Sequence, residues 1–486
     1  MVIMKKMIFG NDIKDKAYNF IYRLFWICFC VMLIYIFGVR KAQEFPCFRI
    51  EILVVLSGIL LFLIKRNIAK FPVVLFVCSF LIRVLIVFLI KTEPISDFKL
   101  MFESARMLVE GDYSFNEYMY FQMWPYQIGF VVWEAVFLKM WNSIWMLKIL
   151  NSLLSAGINL LIYFIAKELL KEEKGARFSA IIYMIFPFSV LHVTVLSNSH
   201  ASGFFLFLGI YILICSQKSR CSIASCAMAA ICIALGNLLR PDGLILLVSI
   251  AIWVIFLILK VNKVKEIKKI IVRALIFFGT YILIINIAVN CVQVTGISPK
   301  GLGNENPLWK FVVGTNYDSN GSFSYTDDEY VRSEMNNNEV TYEEIEIPMI
   351  KDRVSHKKKM LCLLDRKVRF LWWESAIEWS FSNEEVENYP EMIDSIVEIN
   401  KAIWSIILLL VGIGMIKWYK LGNERKEALL IPFIIFASFS VYLLIEVQPR
   451  YLYLIQIAVF VMSAGGINYM LENLKKISCN LQEKRD

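Results

Sequence analysis

The residues of this sequence best suited to chemistry sit at the ends of long apolar runs. Ser96-Asp97 opens a segment in which Phe98, Met101, Phe102, Ala105, Leu108 and Val109 recur at helical spacing on one face. Lys99, Glu103, Arg106 and Glu110 fall on the other face, and Gly111 stops the run. Such a helix lies on a membrane with its apolar face down. It holds the Asp97 carboxylate just above the lipid, a position that suits action on a lipid-linked phosphate. The plainer reading is that Ser96 or Asp97 simply caps the helix. Two arginines occupy short turns between apolar runs, Leu239-Arg240-Pro241-Asp242-Gly243 and Gln448-Pro449-Arg450-Tyr451. An arginine so placed can grip a phosphate with two parallel hydrogen bonds. Pro-Asp-Gly is also an ordinary tight turn, and Arg450 also reads as an anchor that snorkels to the interface. Arg83 lies inside an apolar run, where a charge is a functional candidate by default.

Four further residues are candidates for substrate contact. Asn198 and His200 belong to the polar cluster Ser197-Asn198-Ser199-His200, although a lone histidine is more often a hydrogen-bonded structural residue. Tyr126 ends an aromatic run with Tyr118, Tyr120, Phe121 and Trp124 that reads as an interfacial belt or a sugar platform. Asn316 lies in Gly314-Thr315-Asn316-Tyr317-Asp318-Ser319-Asn320-Gly321, whose amides could meet sugar hydroxyls but whose composition is that of a plain loop. Asp327-Asp328-Glu329 has no His or Cys nearby and reads as a solvated acidic turn, so no metal ligand set is assigned. No cofactor is evident, and a divalent metal stays open.

The elements that position these residues follow from composition. Of 486 residues, 58% are hydrophobic and only 19% charged, against about a quarter charged in a soluble protein. The apolar residues form blocks long enough to cross about 30 Å of hydrocarbon. They lack the alternation of barrel strands, so the spans are helices. Spans are expected near 21–39, 52–64, 72–90, 145–166, 178–196, 202–216, 223–239, 244–259, 270–290, 401–417, 428–446 and 451–470. The first block is long and lacks a small-residue cleavage site, so it reads as a retained span rather than a signal peptide. The net charge of +9 does not mark a nucleic-acid binder, because the basic residues collect in short loops between apolar blocks. The eleven cysteines show neither metal-ligand spacing nor a disulfide framework.

Loop charge sets the orientation. The stretch 124–141 is apolar enough to cross, yet it carries Glu134 and Lys139. If it crossed, the basic Lys167–Arg177 loop would change sides. Laid in the interface instead, it leaves every basic loop and both termini cytoplasmic. Residues 1–71 then form a cytoplasmic segment and two accessory spans, 72–291 a membrane core with its first external loop at 91–144, 292–400 an external loop or small domain, 401–470 the last spans, and 471–486 a cytoplasmic tail. Asp97, His200, Arg240, the Gly314–Gly321 loop and Arg450 share the outer face. No inverted repeat of the transporter type is visible.

Taken in order, several of these pieces resemble bacterial glycosyltransferase family 39, the protein O-mannosyltransferase-like branch of the GT-C membrane glycosyltransferases. They are an Arg-containing span before Ser96-Asp97-Phe98…Ala105…Gly111, then Tyr120-Phe121…Trp124-Pro125-Tyr126-Gln127, then Phe186-Pro187 and the Ser197–His200 turn. Leu239–Gly243, Val313-Gly314-Thr315-Asn316…Gly321 and Glu446…Gln448-Pro449-Arg450-Tyr451-Leu452 complete the series. Trp124-Pro125-Tyr126 stands where many members carry His-Pro-Pro, and Phe98 follows Asp97 where many have a second acid. The resemblance implies a GT-C-like, all-α polytopic bundle of about twelve transmembrane helices. It also implies transfer of one sugar, a hexose such as mannose, from a polyprenyl-phosphate donor to an acceptor hydroxyl on a glycan, lipid or protein. Transfer would invert the anomeric carbon on the extracytoplasmic face of the plasma membrane, with Asp97 as base and Arg240, Arg450 and Arg83 on the donor phosphate. No nucleotide-binding loop appears in the sequence, in keeping with a lipid donor. The competing classes are a transporter or flippase of lipid-linked saccharides and a polysaccharide polymerase or ligase.

Overall fold

In lipid every backbone polar group must be satisfied within its own segment, so apolar runs of bilayer length fold as helices. The structure is a computed structural model that describes residues 2–39, 55, 57–59, 62, 68–216, 222–338 and 340–482. Its α-helices run α1 (Val2–Gly38), α2 (Phe71–Leu89), α3 (Ser96–Glu110), α4 (Met119–Met123), α5 (Ile128–Leu138), α6 (Ile144–Leu170), α7 (Glu173–Ile185), α8 (Pro187–Leu191), α9 (Ser199–Ser216), α10 (Ser222–Leu239), α11 (Gly243–Lys260) and α12 (Val264–Val294). A second series follows: α13 (Trp309–Gly314), α14 (Tyr325–Asn338), α15 (Tyr342–Ser355), α16 (Lys357–Trp373), α17 (Asn383–Asn388), α18 (Pro390–Glu424), α19 (Leu430–Leu444) and α20 (Leu452–Gln482). No strand occurs among the described residues.

Nine helices among the described residues are long and apolar enough to cross a membrane: Lys14–Gly38, Phe71–Leu89, Ile144–Leu170, Ser199–Ser216, Gly243–Lys260, Val264–Val294, Pro390–Glu424, Lys426–Leu444 and Pro449–Ile477. The chain is an all-α, multi-pass membrane protein. Three expected spans depart from this set. The one near 178–196 is two helices, Glu173–Ile185 and Pro187–Thr194, bent by 59°; Pro187 has no N–H to continue the ladder. The one near 223–239 is the shorter apolar helix Ile223–Leu239, which begins beside residues outside the described set. The one at 52–64 lies outside the described residues apart from a few isolated positions. The ambiguous stretch 124–141 forms the short apolar helix Pro125–Leu138.

Burial sorts the helices by depth. The Pro449–Ile477 helix is 83% buried and sits at the centre, whereas Val264–Val294 is 11% buried and forms the rim. Close approach fixes the centre: a Cβ on Gly466 would meet the Leu410 carbonyl oxygen at 2.1 Å, so only glycine lets α18 and α20 touch there.

Two non-spanning parts lie against the helix ends. The first is the α3–α5 segment, whose Phe98, Met101 and Ala105 pack with Phe115, Phe121, Ile128 and Phe130 in one apolar cluster. That is the face expected from helical spacing, although it packs on protein rather than lying on lipid, and Gly111 ends α3 at φ 82° as anticipated. The second runs from α13 to α17 and carries its own small core of Trp309, Val312, Val313, Val331 and Ile345. Expected as an external loop or small domain, it is mostly helix. Asp327 and Asp328 enter the first turn of α14, where acids complement the helix dipole.

Candidate active site

A hydrogen-bonded chain of side chains joins the two non-spanning parts to the start of α20. Lys310 Nζ donates to Glu446 Oε2, and Gln448 Nε2 donates to Glu446 Oε1 at 2.7 Å. Arg450 Nε donates to Gln448 Oε1 at 2.7 Å, and Arg450 Nη2 to Asp97 Oδ2 at 3.4 Å. Ser96 Oγ closes the chain on Asp97 Oδ1 at 2.6 Å. Residues 446 and 448 can line up because the backbone there is extended, with Gln448 at φ −143°, ψ 149°, and Arg450 follows in the short 3-10 turn Pro449–Tyr451. Extended backbone puts alternate side chains on one face.

That extended stretch is held from the α13–α17 part. Glu446 N donates to the Lys310 carbonyl at 2.8 Å and Val447 N to the Gly321 carbonyl at 2.9 Å. Buried Lys367 donates to the carbonyls of Gly314, Leu443 and Ile445 at 2.8–2.9 Å. A Cβ on Gly314 would stand 2.5 Å from the Leu444 carbonyl oxygen, and Gly321 sits at φ 75°. The Gly314–Gly321 loop is thus a brace for residues 443–447. Asn316 serves the same loop: its Nδ2 donates to Asp327 Oδ2 at 2.8 Å and its Oδ1 accepts from the amides of Asp318 and Ser319.

Asp97 does not cap its helix. Ile95 occupies the N-cap position without a side-chain bond, and Ser96 takes φ 52°. A serine in the left-handed region carries a cost of order 1 kcal/mol or more. It coincides here with a carboxylate turned toward Arg450. Arg450 is 8% exposed rather than snorkelling. Its guanidinium packs against the rings of Phe98 and Trp379, at 4.9 and 4.8 Å from their centroids, and those two rings meet edge to face at 6.2 Å. Its Nη1 is buried with no hydrogen-bond partner among the described residues.

Arg240 arrives from the α10–α11 turn. Pro-Asp-Gly does form the tight turn, and Arg240 Nε donates to Asp242 Oδ2 at 2.6 Å. Its Nη1 donates to Asn198 Oδ1 and Ser199 Oγ at 3.3 and 3.1 Å. Asn198 Nδ2 in turn holds the Leu239 carbonyl at 3.2 Å, so Asn198 is a positioning residue for Arg240. Arg240, Lys310 and Arg450 surround the ring of Tyr451 at 5.1, 5.7 and 5.8 Å. Tyr126 adds its phenol beside Lys310 and Tyr451, and Tyr120 beside Asp97. Three cations, each with a carboxylate partner, therefore meet around one aromatic ring.

The electrostatics favour charge throughout. Burial pushes the Asp97 carboxyl up, but Arg450 and the Ser96 hydrogen bond outweigh it and hold it below the ordinary carboxylate range. Burial likewise raises Glu446, and Lys310 overrides it to leave the carboxyl depressed. Burial would lower the Lys310 ammonium, yet Glu446 and nearby tyrosines raise it well above its ordinary value. A phosphate entering here exchanges carboxylate partners for its own oxygens instead of meeting bare cations.

Two expected site residues lie elsewhere. Arg83 is fully buried inside α2. Its Nε donates to Ser155 Oγ, Nη1 to the Ser79 hydroxyl and carbonyl, and Nη2 to Ser189 Oγ, at 2.6–3.1 Å. His200 bonds Tyr453 Oη at 2.8 Å and the His192 carbonyl at 3.0 Å. Lys310 and Glu446 are the residues that the motifs did not single out as site groups. Their sequence signal is faint: Lys310 is a lone cation in Trp309-Lys310-Phe311-Val312-Val313, and Glu446 a lone acid closing an apolar run. Among the described residues no group of three or more His, Cys, Asp or Glu side chains could hold a metal ion.

Fold and site together define a multi-pass, all-α membrane protein with an ion-paired cluster at one end of its helices. No protein-family model matches the sequence, and neither does any curated protein. Three solved structures of oligosaccharyltransferase from Archaeoglobus fulgidus are similar to it. The archaeal oligosaccharyltransferase AglB in complex with an inhibitory peptide and a dolichol-phosphate aligns at 10% identity and TM-score 0.47, over 85% of this chain and 52% of that one. An apo form aligns at 10% identity and TM-score 0.49 over the same shares. A complex with Zn and sulfate aligns at 12% identity and TM-score 0.45, over 82% and 49%. The chain spans about half the length of these structures.

Proposed function

We propose that this protein is a membrane glycosyltransferase that moves a single hexose, such as mannose, from a polyprenyl-phosphate-linked donor to an acceptor hydroxyl. The observation that carries this reading is the 3.4 Å pair of Asp97 and Arg450 beside Arg240 and Lys310. It combines one carboxylate able to accept a proton with cations able to receive a phosphate.

In this reading the donor phosphate sits against Arg450, Arg240 and Lys310, and takes up the unpartnered Arg450 Nη1. By competing with Asp97 for Arg450, it frees the carboxylate. The acceptor oxygen attacks the anomeric carbon as Asp97 removes its proton. The bond from that carbon to the phosphate oxygen breaks, and its electron pair leaves on the lipid phosphate with inversion. The cations stabilise the charge that develops there, and base assistance is worth about 10²–10⁴-fold. Arg83, buried among neutral oxygen acceptors, adds its charge from inside the bundle without touching the phosphate. Tyr126 lines the sugar side. The acceptor is a glycan, lipid or protein on the extracytoplasmic face of the plasma membrane, and both termini are cytoplasmic.

The test is to delete the protein from its host and compare surface glycans by mass spectrometry. Loss of one hexose from a surface glycan, restored by wild type but not by Asp97→Asn, is the expected result. Build-up of an intact lipid-linked saccharide inside the cell would instead assign a flippase.

A further inference from the structure

On the other face of α3 from Phe98 lies a cavity of about 510 Å³ that takes no part in the site above. Its walls are the Lys91–Pro94 loop after α2, the α3 face with Lys99, Glu103 and Arg106, and the first residues of α6. Because α2 and α6 are bilayer-length helices, the cavity opens where both leave the hydrocarbon, at the level of lipid headgroups.

Its lining holds four cations, Lys91, Lys99, Arg106 and Lys148, against two carboxylates, Glu93 and Glu103, an excess of two positive charges. Lys99 is already engaged with Glu103 at 3.8 Å. Lys91 and Arg106 have no hydrogen-bond or ion-pair partner among the described residues. Lys148 is 2% exposed, and its Nζ donates to the Thr92 carbonyl, which leaves further N–H donors toward the cavity. Glu93 and Glu385 act on Lys148, which leaves Lys91 and Arg106 as the cations without a counter-charge among the described residues.

The surroundings say what carries that counter-charge. The cavity is flanked by apolar side chains left bare, Phe88, Leu89, Ile95, Met140 and Trp141, from 47% to 73% exposed. Phe88 stacks at 5.2 Å on Trp145, which itself lines the cavity. A cationic pocket edged by exposed apolar groups at the membrane surface has the shape of an amphiphile: an anionic headgroup above, hydrocarbon below. We propose that this cavity binds the phosphate headgroup of a membrane lipid, with Lys91, Arg106 and Lys148 around the phosphate and the chains lying along Phe88.

The proposal does not depend on the catalytic reading and is tested on the full chain. Purified protein is titrated with phosphatidylglycerol, phosphatidylcholine or polyprenyl phosphate, and retained lipid is counted by native mass spectrometry. Wild type is expected to retain one phosphatidylglycerol at least tenfold more tightly than phosphatidylcholine. Lys91→Gln/Arg106→Gln, two changes at exposed side chains, should abolish that preference. Lys475→Gln/Lys476→Gln, which removes the same charge from the far end of α20, should not. Retention of polyprenyl phosphate alone, lost in the same variant, would keep the site and assign an isoprenoid source. Retention that ignores headgroup charge, or that survives Lys91→Gln/Arg106→Gln, would overturn the proposal.

Discussion

Arg450 reaches Asp97 at 3.4 Å while its guanidinium packs on the edge-to-face pair of Phe98 and Trp379. A guanidinium keeps its charge, so the carboxylate is the partner whose charge responds. Burial drives the Asp97 carboxyl up, and Arg450 and Ser96 bring it below its ordinary value. With Arg450→Met, burial is opposed only by the Ser96 and backbone hydrogen bonds. The acid limb of the kcat/KM–pH profile, expected below about 3.9 in the wild type, should then move upward. An unmoved limb would show that some other group sets the charge on Asp97. The sign for stability follows: the pair stabilises the fold above the ordinary Asp pKa, and that contribution is lost as pH falls through the depressed folded value.

Asp97→Asn keeps the shape of the side chain and removes its ability to take a proton. Transfer should fall by about 10²–10⁴-fold, with donor affinity kept or improved, because Arg450 is released from its carboxylate. Combined with Arg450→Met the losses should fall short of the sum of the single losses, since the residues are in contact. Full activity of a correctly inserted Asp97→Asn protein would remove Asp97 from the mechanism.

Lys310 enters the site from the α13–α17 part, so it links that part to donor binding. Lys310→Met should lower kcat/KM for the donor by about 10–100-fold, the size of one charged hydrogen bond. It should leave the Asp97 acid limb in place, because no hydrogen bond joins Lys310 to Asp97. Lys310→Arg should recover most of the loss by keeping the contact with Glu446. A changed pH limb with unchanged donor KM would mean that Lys310 acts on the base instead.

The fold was legible where the physics is one-dimensional. Apolar length marked the nine helices among the described residues that pass as spans, and helical spacing marked the inward face of α3 down to Gly111. The break at Pro187 was visible as a residue without an N–H, yet the run around it still read as one span. The site was legible only in part. Asp97, Arg240 and Arg450 stand out because charge at the end of an apolar run is conspicuous. Lys310 and Glu446 were obscure because their meaning comes from contact across 136 residues of chain, which no local pattern carries. Asn316 misled for the opposite reason. Turn-rich amide loops look alike whether they bind a sugar or brace a neighbouring strand, and here the amide is bound to Asp327.

The α13–α17 part offers a test of how that brace is held. Glu346 is fully buried. Its Oε1 accepts from Asn306 Nδ2 at 2.8 Å, while its Oε2 has no partner among the described residues. Burial lifts the carboxyl from its ordinary 4.5 to about 7. An acid with a raised folded pKa is tolerated below its unfolded value and destabilises increasingly as pH rises through the folded value. Once ionised it costs on the order of 1–3 kcal/mol, the lower figure applying where solvent screens it. Glu346→Gln retains the acceptor for Asn306 and cannot ionise. Its thermal unfolding temperature should match the wild type near pH 4.5 and exceed it by several degrees at pH 8.5, as read by a thiol-reactive dye or intrinsic tryptophan fluorescence. Trp309 sits in the same small core and would report the change locally. Equal unfolding temperatures at pH 8.5 would mean that the carboxylate finds a counter-charge or water that relieves it, and the α13–α17 part would then hold Lys310 in place independently of pH.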